Sequence, residues 1–374
     1  MRQVVFRLGL GLALLGASCE GSGGDGAPGV SPADVDLDST PKMLSEWGLF
    51  SDMSKRVPAA DVIPYEMRAP LFTDYAAKHR FMYVPEGEKI GYTDAGRWEF
   101  PLGTILVKNF AYPLDANDPD AGERILETRL LIHREDGWNP EVYVWNDEQT
   151  EAERDVTGET IEVDRPLADG STETFDYGVP TRDECRKCHG AAFPVEGAQV
   201  TRSLGPMTGQ LNFEIDYGNG PENQIDHLAA LGLLDTTPPP AAERVSFVDP
   251  DDESQSVSDR ARSYLMANCA HCHADDGEVF DKELFLDWQA TGPDGDPFNW
   301  GVCKKPTSAG NAECEETIDI IPGDADNSLL ICRMELQGKG KMAPLGRNLD
   351  HGEGVDLIRD WINGLDLPPC SIGE

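Results

Sequence analysis

Residues 181–190 read TRDECRKCHG, and the character of the chain changes at this point. The preceding residues, 41–180, contain runs rich in β-branched and aromatic side chains, such as RFMYV, GTILVKNFAY and EVYVWN, separated by turn sequences. This pattern predicts an antiparallel β-sandwich or a small barrel-like domain. From Thr181 the pattern becomes helical, because Thr181 and Glu184 have the spacing of an N-terminal capping box.

Two cysteines three residues apart, followed at once by a histidine, occur twice in the chain. The motif residues are Cys185, Cys188 and His189, and then Cys269, Cys272 and His273 within MANCAHCHAD. Two thiols on one helical turn can bond to the two vinyl groups of a haem, and the adjacent imidazole can ligate its iron from the same side. In a chain of this composition, the CxxCH motif is expected to occur by chance in roughly a few of every thousand chains. The repeat predicts two covalently attached haem c groups.

Two further kinds of site use the same cysteine spacing. Two CxxC pairs can build a four-thiolate zinc site, and a single CxxC pair can act as a redox dithiol. Zinc gives no reason for a histidine to follow the second cysteine both times. Neither motif follows a strand in a recognisable βαβ unit, as a thioredoxin-like dithiol would. Haem attachment is therefore the preferred interpretation of both motifs.

Each haem iron would have one histidine ligand, His189 or His273, and a second axial position to fill. For the second haem, the sequence GKGKMAPLG offers Met342, with Met334 and Met266 as alternatives. A thioether opposite histidine raises the reduction potential and suits electron transfer.

For the first haem the candidates are poorer, and several ligands stay open. His227 and Met207 are the main candidates for its second axial position. His79 or His133 could also fill that position, or the iron could lack a second protein ligand. The difference matters, because an open iron position permits ligand or peroxide chemistry, whereas a filled one favours electron transfer.

Further helical patterns follow the first motif. Apolar residues recur at helical spacing in NQIDHLAALGLLD, SDRARSYLMANCAHCH and DHGEGVDLIRDWINGL, and a proline-rich link, TTPPPAAERVSFVDPDDE, separates the first from the second. We therefore predict a multidomain β + α protein. Its parts would be a β-rich domain over 41–180, a helical first-haem segment over 181–248 and an all-α cytochrome c-like second-haem domain over 256–374.

The N-terminus has the features of an export signal. Arg2 and Arg7 precede a short apolar run, which predicts a signal peptide over 1–18. The sequence LLGASC resembles a bacterial lipoprotein lipobox, which would make Cys19 the lipidated first residue, followed by a Gly/Ser-rich tether over 19–40. The alternative is an ordinary signal peptide whose removal discards Cys19. Either interpretation predicts an exported protein, and the first a periplasmic or outer-membrane lipoprotein of a Gram-negative bacterium.

The chain is strongly acidic, with 31 Lys and Arg against 68 Asp and Glu and a formal net charge of −37. Such a charge repels phosphate backbones and anionic headgroups, so we expect no nucleic-acid binding and membrane contact only through a lipid anchor. Acidic clusters such as DANDPDAGE and DPDDE lack EF-hand ligand spacing, which argues against a calcium-binding interaction module.

Four cysteines lie outside the signal and the two motifs: Cys303, Cys314, Cys332 and Cys370. In an exported protein an even number of such cysteines indicates disulfides, and four allow three pairings. Proximity along the chain favours Cys303–Cys314 and Cys332–Cys370.

The sequence also resembles a family of bacterial diheme c-type cytochromes of mostly unassigned role, whose genes often neighbour one for a parallel β-helix repeat protein. The resemblance covers about residues 44–365 and rests on stretches such as VIPYEMRAPLFTDYAAKHRFMYVPEG, WEFPLGTILVKNFAYP, ECRKCH, RARSYLMANCAHCH and DIIPGDADNSLL. It implies haem at both motifs and supports Met342, although the loop here reads Met-Ala-Pro where the family usually has Met-Pro.

These observations predict an exported diheme c-type cytochrome that carries single electrons between a donor and an acceptor protein. The resemblance adds a parallel β-helix protein as a candidate partner. The alternative is a diheme enzyme of the peroxidase or oxidase type, with an open first-haem iron and a substrate-binding β domain. No recognisable catalytic constellation is found in residues 41–180, so we expect an electron-transfer protein more than an enzyme.

Overall fold

A six-stranded antiparallel sheet organises the computed structural model, which describes residues 31–190, 201–307 and 313–371. Its strand order is β3-β4-β5-β6-β7-β8, so each strand pairs with its neighbours along the chain. Three two-stranded ribbons, β1–β2, β9–β10 and β11–β12, accompany it. The strands are β1 Phe50–Asp52, β2 Val57–Pro58, β3 Val62–Tyr65, β4 Ala77–Tyr83, β5 Ile105–Pro113, β6 Glu123–Arg134, β7 Gly137–Trp145, β8 Ala152–Asp155, β9 Glu159–Pro166, β10 Thr172–Val179, β11 Glu214–Asp216 and β12 Pro221–Asn223.

One face of the sheet is covered by the N-terminal part of the described chain. Trp47 is fully buried against this face, and its indole Nε1 donates a hydrogen bond of 2.7 Å to the Tyr143 hydroxyl. Val35 and Leu37, within the predicted tether, also pack here. Residues 31–40 therefore lie against the sheet, while the predicted signal peptide, Cys19 and the first part of the tether fall outside the described residues.

The opposite face of the sheet receives the rest of the chain. Met82, Leu106 and Leu131, from three neighbouring strands, pack with buried apolar residues from the segment 211–234. Next to them, Phe110 packs with Tyr177 of the β9–β10 ribbon. Packing on both faces explains why burial is nearly continuous along β5 and over the middle of β6.

Six α-helices are described: α1 Arg182–His189, α2 Thr208–Leu211, α3 Gln224–Ala230, α4 Val257–Asn268, α5 Leu329–Glu335 and α6 Gly352–Asn363. The last three share a core in which the buried Leu265, Ile331 and Ile358 are joined by Trp300 and Trp361. The Trp300 and Trp361 ring centroids are 5.2 Å apart. Within 31–190, 201–307 and 313–371, no helix is both long and apolar enough to cross a bilayer.

The predicted fold class is wrong. The structure is mainly β, with helices making up 21% of the described residues, so a set of all-α cytochrome c-like segments is not supported. Helices α4 and α6 do form where the periodicity predicts them, but the described residues between α4 and α5 form turns, loops and short 3-10 helices. That stretch is rich in glycine, proline and aspartate, which disfavour regular helix. The β-rich region forms one open sheet with small ribbons instead of a sandwich or barrel.

The four remaining cysteines form two disulfides, but the predicted pairing is wrong. The bonds are Cys303–Cys370 and Cys314–Cys332, with Cα atoms 5.2 and 6.0 Å apart. Cys303 packs against the core of α4, α5 and α6, and Leu367 near the chain end packs against the same core. Tertiary packing therefore joins residues 67 positions apart, which proximity in sequence could not indicate.

Candidate cofactor site

A cavity of about 630 Å³ lies between the sheet and helices α1, α4 and α5, and both cysteine motifs line it. This volume falls in the range of pockets that hold small molecules and cofactors. Strands β4, β5 and β6 supply one wall, through residues such as Arg80, Leu106 and Leu131. The loop over 341–348 supplies another part of the lining. The two motifs, 84 residues apart in sequence, therefore share one site.

Helix α1 positions the first motif, and its predicted capping box is confirmed. The Glu184 amide donates to the Thr181 hydroxyl at 3.1 Å, and the Thr181 amide donates to the Glu184 carboxylate at 3.0 Å. Cys185, Cys188 and His189 all fall within this helix. Cys185 packs against the buried cluster of Phe110 and Tyr177, which anchors the helix to the sheet.

His189 is held in the tautomer that a metal ligand needs. Its Nδ1 lies 2.9 Å from the backbone carbonyl oxygen of Arg202, which can only accept, so Nδ1 carries the proton. Nε2 then keeps its lone pair for a ligand bond, and the carbonyl fixes the ring orientation. Burial lowers the pKa of His189 to about 4, so the ring is neutral at physiological pH.

His273 is in a similar but less complete environment. Burial lowers its pKa to about 4, so this imidazole is also neutral. Its Nδ1 is buried and makes no hydrogen bond of good geometry to the described residues. The Leu284 backbone carbonyl favours the protonated ring and so opposes part of the lowering of the His273 pKa by burial. The backbone is fixed more firmly, since the Leu286 amide donates to the His273 carbonyl at 2.7 Å.

The two motifs touch each other through their second cysteines. The Cys188 and Cys272 sulfurs and a ring nitrogen of His271 all lie within 4.8 Å of one another. The neighbouring Cys272 side chain, and to a smaller extent His271, hold the pKa of Cys188 well below its usual range. The Cys272 thiol itself donates to the Lys187 backbone carbonyl at 4.0 Å. Cys185 and Cys269 do not join this group, and none of the four forms a disulfide. Among the described residues the four thiols therefore make no common four-thiolate cluster, as the zinc alternative would require.

The lining of the cavity reverses the charge balance of the chain. Its basic members are Arg80, Arg97, Lys108, Arg129, Lys282, Arg333, Lys341 and Arg347, and its acidic members are Asp74, Glu141, Glu184 and Asp319. Eight cations against four carboxylates stand out in a protein with 31 basic and 68 acidic residues. A cavity of this kind suits a ligand that is largely apolar and carries negative groups.

No protein-family model, curated protein or solved structure matches this chain. The resemblance to diheme cytochromes therefore stays a prediction from the sequence. What the cavity can bind has to follow from its own residues: two pairs of thiols, two neutral imidazoles, and a cationic, partly apolar lining.

All four methionines considered as axial ligands line the cavity. Met342 is fixed by a backbone hydrogen bond of 2.8 Å from its amide to the Arg333 carbonyl. Met207 precedes α2 and is 6% exposed. Met266 lies in α4, and Met334 lies in α5. All four methionines, Met342 and Met207 among them, therefore share one cavity with both motifs.

The three histidines considered as axial ligands for the first haem lie outside the cavity lining. His227 stacks on Tyr217 with ring centroids 3.6 Å apart, and its Nδ1 lies 2.8 Å from the Glu222 carboxylate. His79 Nε2 lies 2.7 Å from the Glu123 carboxylate, and His133 stacks on a tryptophan. Each of these rings therefore has a local structural partner away from the cavity.

Sequence reasoning missed two histidines of the site. His271 sits between the cysteines of the second motif, where it reads as a spacer, yet it contacts Cys188 of the first motif. His351 precedes α6 and stacks on Phe72 with ring centroids 4.0 Å apart. Its Nδ1 and the Tyr264 hydroxyl oxygen are 3.0 Å apart and share a hydrogen bond. Only the folded structure brings these partners together, since Phe72 and His351 are far apart in sequence.

We expect His351 to make the protein less stable at mildly acidic pH. Burial lowers its folded-state pKa from 6.5 to about 4, so the unfolded chain takes up the proton first. The stabilisation is complete above pH 6.5 and is lost as pH falls towards 4. With about 1.4 kcal/mol per pKa unit and allowance for partial exposure, the loss between pH 7 and pH 5 should be about 1–2 kcal/mol.

Urea unfolding of wild type and His351→Phe at pH 7 and pH 5 checks this expectation. The phenylalanine keeps an aromatic ring against Phe72 but cannot take up a proton. The difference in unfolding free energy between the two proteins should change in favour of the variant on acidification. Parallel behaviour of the two proteins would contradict the role given to His351.

Proposed function

We propose that the protein is a diheme c-type cytochrome that carries single electrons between redox proteins, with both haem groups attached in this cavity. The observation that supports it most is the convergence of both CxxCH motifs on one cavity, with unpaired thiols and neutral histidines. A zinc or dithiol role explains neither the two histidines nor the cationic lining.

The residues of each motif have separate roles in this proposal. The four cysteines would form thioethers, in which a sulfur–carbon bond forms to a vinyl group and the thiol hydrogen goes to the second vinyl carbon. His189 and His273 would ligate iron through Nε2. The Arg202 carbonyl that accepts from His189 Nδ1 keeps this ring oriented and makes it a stronger ligand. Haem, when bound, supplies one-electron iron redox chemistry.

For the second axial positions, the cavity favours methionine at both sites. Met342 is our assignment for the second haem, and Met207 our assignment for the first, because it lines the cavity and the alternative His227 does not. Two His/Met iron sites have no open position for a substrate and suit electron transfer.

The contact between motifs supports transfer within the protein. With the Cys188 and Cys272 sulfurs inside the same 4.8 Å group, the attachment points of the two haems would be adjacent. Adjacent redox groups exchange electrons rapidly. The chain would therefore hold up to two electrons, one on each haem, and pass them on singly. Its acidic surface would select a basic face on the partner protein. If the predicted export signal acts, that partner would lie outside the cytoplasm.

The carrier proposal is tested by ligand reactivity. The full chain, purified from a host that matures c-type cytochromes, should contain two low-spin haems that react with neither carbon monoxide nor peroxide. A high-spin ferric haem that reduces peroxide would favour a diheme enzyme over an electron carrier. Absorbance and electron paramagnetic resonance spectra, recorded before and after each addition, separate the two outcomes.

A further inference from the structure

Three cations lie side by side across the central strands of the sheet. In the strand register Arg80 of β4 faces Lys108 of β5, and Lys108 faces Arg129 of β6. All three side chains point to the same face of the sheet, because directly paired residues share a face. We call these three residues the cationic row.

The cationic row borders an apolar row of side chains on one side. Two residues along each strand, on the same face, lie Met82, Leu106 and Leu131, which are all buried. Like charges at directly paired positions destabilise a sheet, and partial burial increases the cost because water screens them less. A row of this kind is expected only where a negative group lies against it.

The described residues supply only part of that negative charge. Arg129 is paired with the buried Glu127, with Nε 2.9 Å from a carboxylate oxygen. Arg80 donates only a long 3.4 Å hydrogen bond to a backbone carbonyl. Lys108 Nζ has no hydrogen bond or ion pair among the residues that the structure describes, and lies 4.8 Å from the ring centroid of Phe110. Lys108 is therefore the cation with the least compensation.

The cationic row faces the cavity beside the first motif. Arg80, Lys108 and Arg129 all line the cavity. Phe110, over which both Lys108 and Arg129 lie, belongs to the cluster against which Cys185 packs. Burial itself moves the pKa of Lys108 well below its usual range, the direction expected for an uncompensated cation.

We propose that the cationic row binds carboxylate groups of a ligand in the cavity, and that Lys108 is its central contact. The carboxylates would be the propionates of the first haem, in which case the inference rests on the proposed function, or those of a soluble dicarboxylate. Either source gives the sheet a direct role in binding, which the sequence did not assign.

The test compares wild type with Lys108→Met, which removes the charge and keeps an unbranched side chain of similar length. Lys55→Met is the matched control, because Lys55 lies outside the cavity lining and its side chain is 76% exposed. Arg80→Gln serves as a second variant should Lys108→Met fail to fold. Intact mass gives the number of haems, and a redox titration gives the midpoint reduction potential of each haem. Thermal melts with increasing succinate report binding of a soluble carboxylate.

Propionate binding predicts that Lys108→Met keeps two haems and that one midpoint moves downward, because removal of a nearby cation favours the oxidised iron. Lys55→Met should leave both midpoints in place. Binding of a soluble carboxylate predicts instead a saturable rise of the melting temperature with succinate in wild type and its loss in Lys108→Met.

Unchanged midpoints together with no succinate effect would overturn the inference. A wild-type mass without haem would overturn the proposed function instead. The succinate melts would then decide alone whether the cationic row binds carboxylates.

Discussion

Replacing Cys269 and Cys272 together with alanine will lower the haem content of the protein from two groups to one. Without the two thiols no thioether can form at the second motif, while the first motif keeps its own cysteines in α1. Intact mass under denaturing conditions should fall by one haem beyond the two lost sulfurs. Absorbance of the haem per protein should fall to about half of the wild-type value, since each CxxCH motif accounts for one group.

The matched control replaces Cys314 and Cys332, which removes the same number of cysteines from the same half of the chain. These two form a disulfide with each other and lie outside the cavity lining, so the control should keep both haems. It should lose stability instead, by about 3 kcal/mol for a loop of this length. Retention of two haems in Cys269→Ala/Cys272→Ala would show that the second motif does not attach haem.

Replacing Met342 with alanine will open one iron position and leave the first haem unchanged. Loss of the thioether should convert one haem to a high-spin form that binds carbon monoxide, at one equivalent per protein. Its midpoint should fall by on the order of 0.1 V or more, within the wide span that axial ligands set. Spectra and a redox titration of the two haems measure both effects.

Met266→Ala is the control, because Met266 lines the same cavity from α4. It should keep both haems low-spin. Met342→His should restore the low-spin state with a midpoint below the wild type, which separates ligation from a packing defect. If Met266→Ala opened the iron and Met342→Ala did not, the ligand assignment would pass to Met266.

Local features of this protein were predictable from its sequence. The capping box of Thr181 and Glu184 depends only on residues within one helical turn, and it forms as predicted. The strand-like runs of 41–180 do become strands for the same reason, since β-branched and aromatic residues express a local preference. The spacing of the two motifs in sequence did not predict that they would line one cavity.

Two features that the sequence did not predict, the cationic row and the disulfide pairing, depend on residues that are distant in sequence. The cationic row exists only through the register of β4, β5 and β6, and no single strand reveals it. Cys303 pairs with Cys370 because loops and chain end meet on one core. Local sequence pattern carried no information about the strand register or the disulfide pairing. The all-α expectation failed for a local reason, because the residues between α4 and α5 are rich in glycine, proline and aspartate and form loops.

The most direct test of the account is the intact mass of the full chain, measured under denaturing conditions after expression in a host that matures c-type cytochromes. Thioether formation adds each haem without loss of atoms from the thiols, so the mature polypeptide should carry the mass of two haems that denaturation does not remove. A colourless protein with the mass of the polypeptide alone, apart from any lipid, would contradict the proposal that this cavity holds haem.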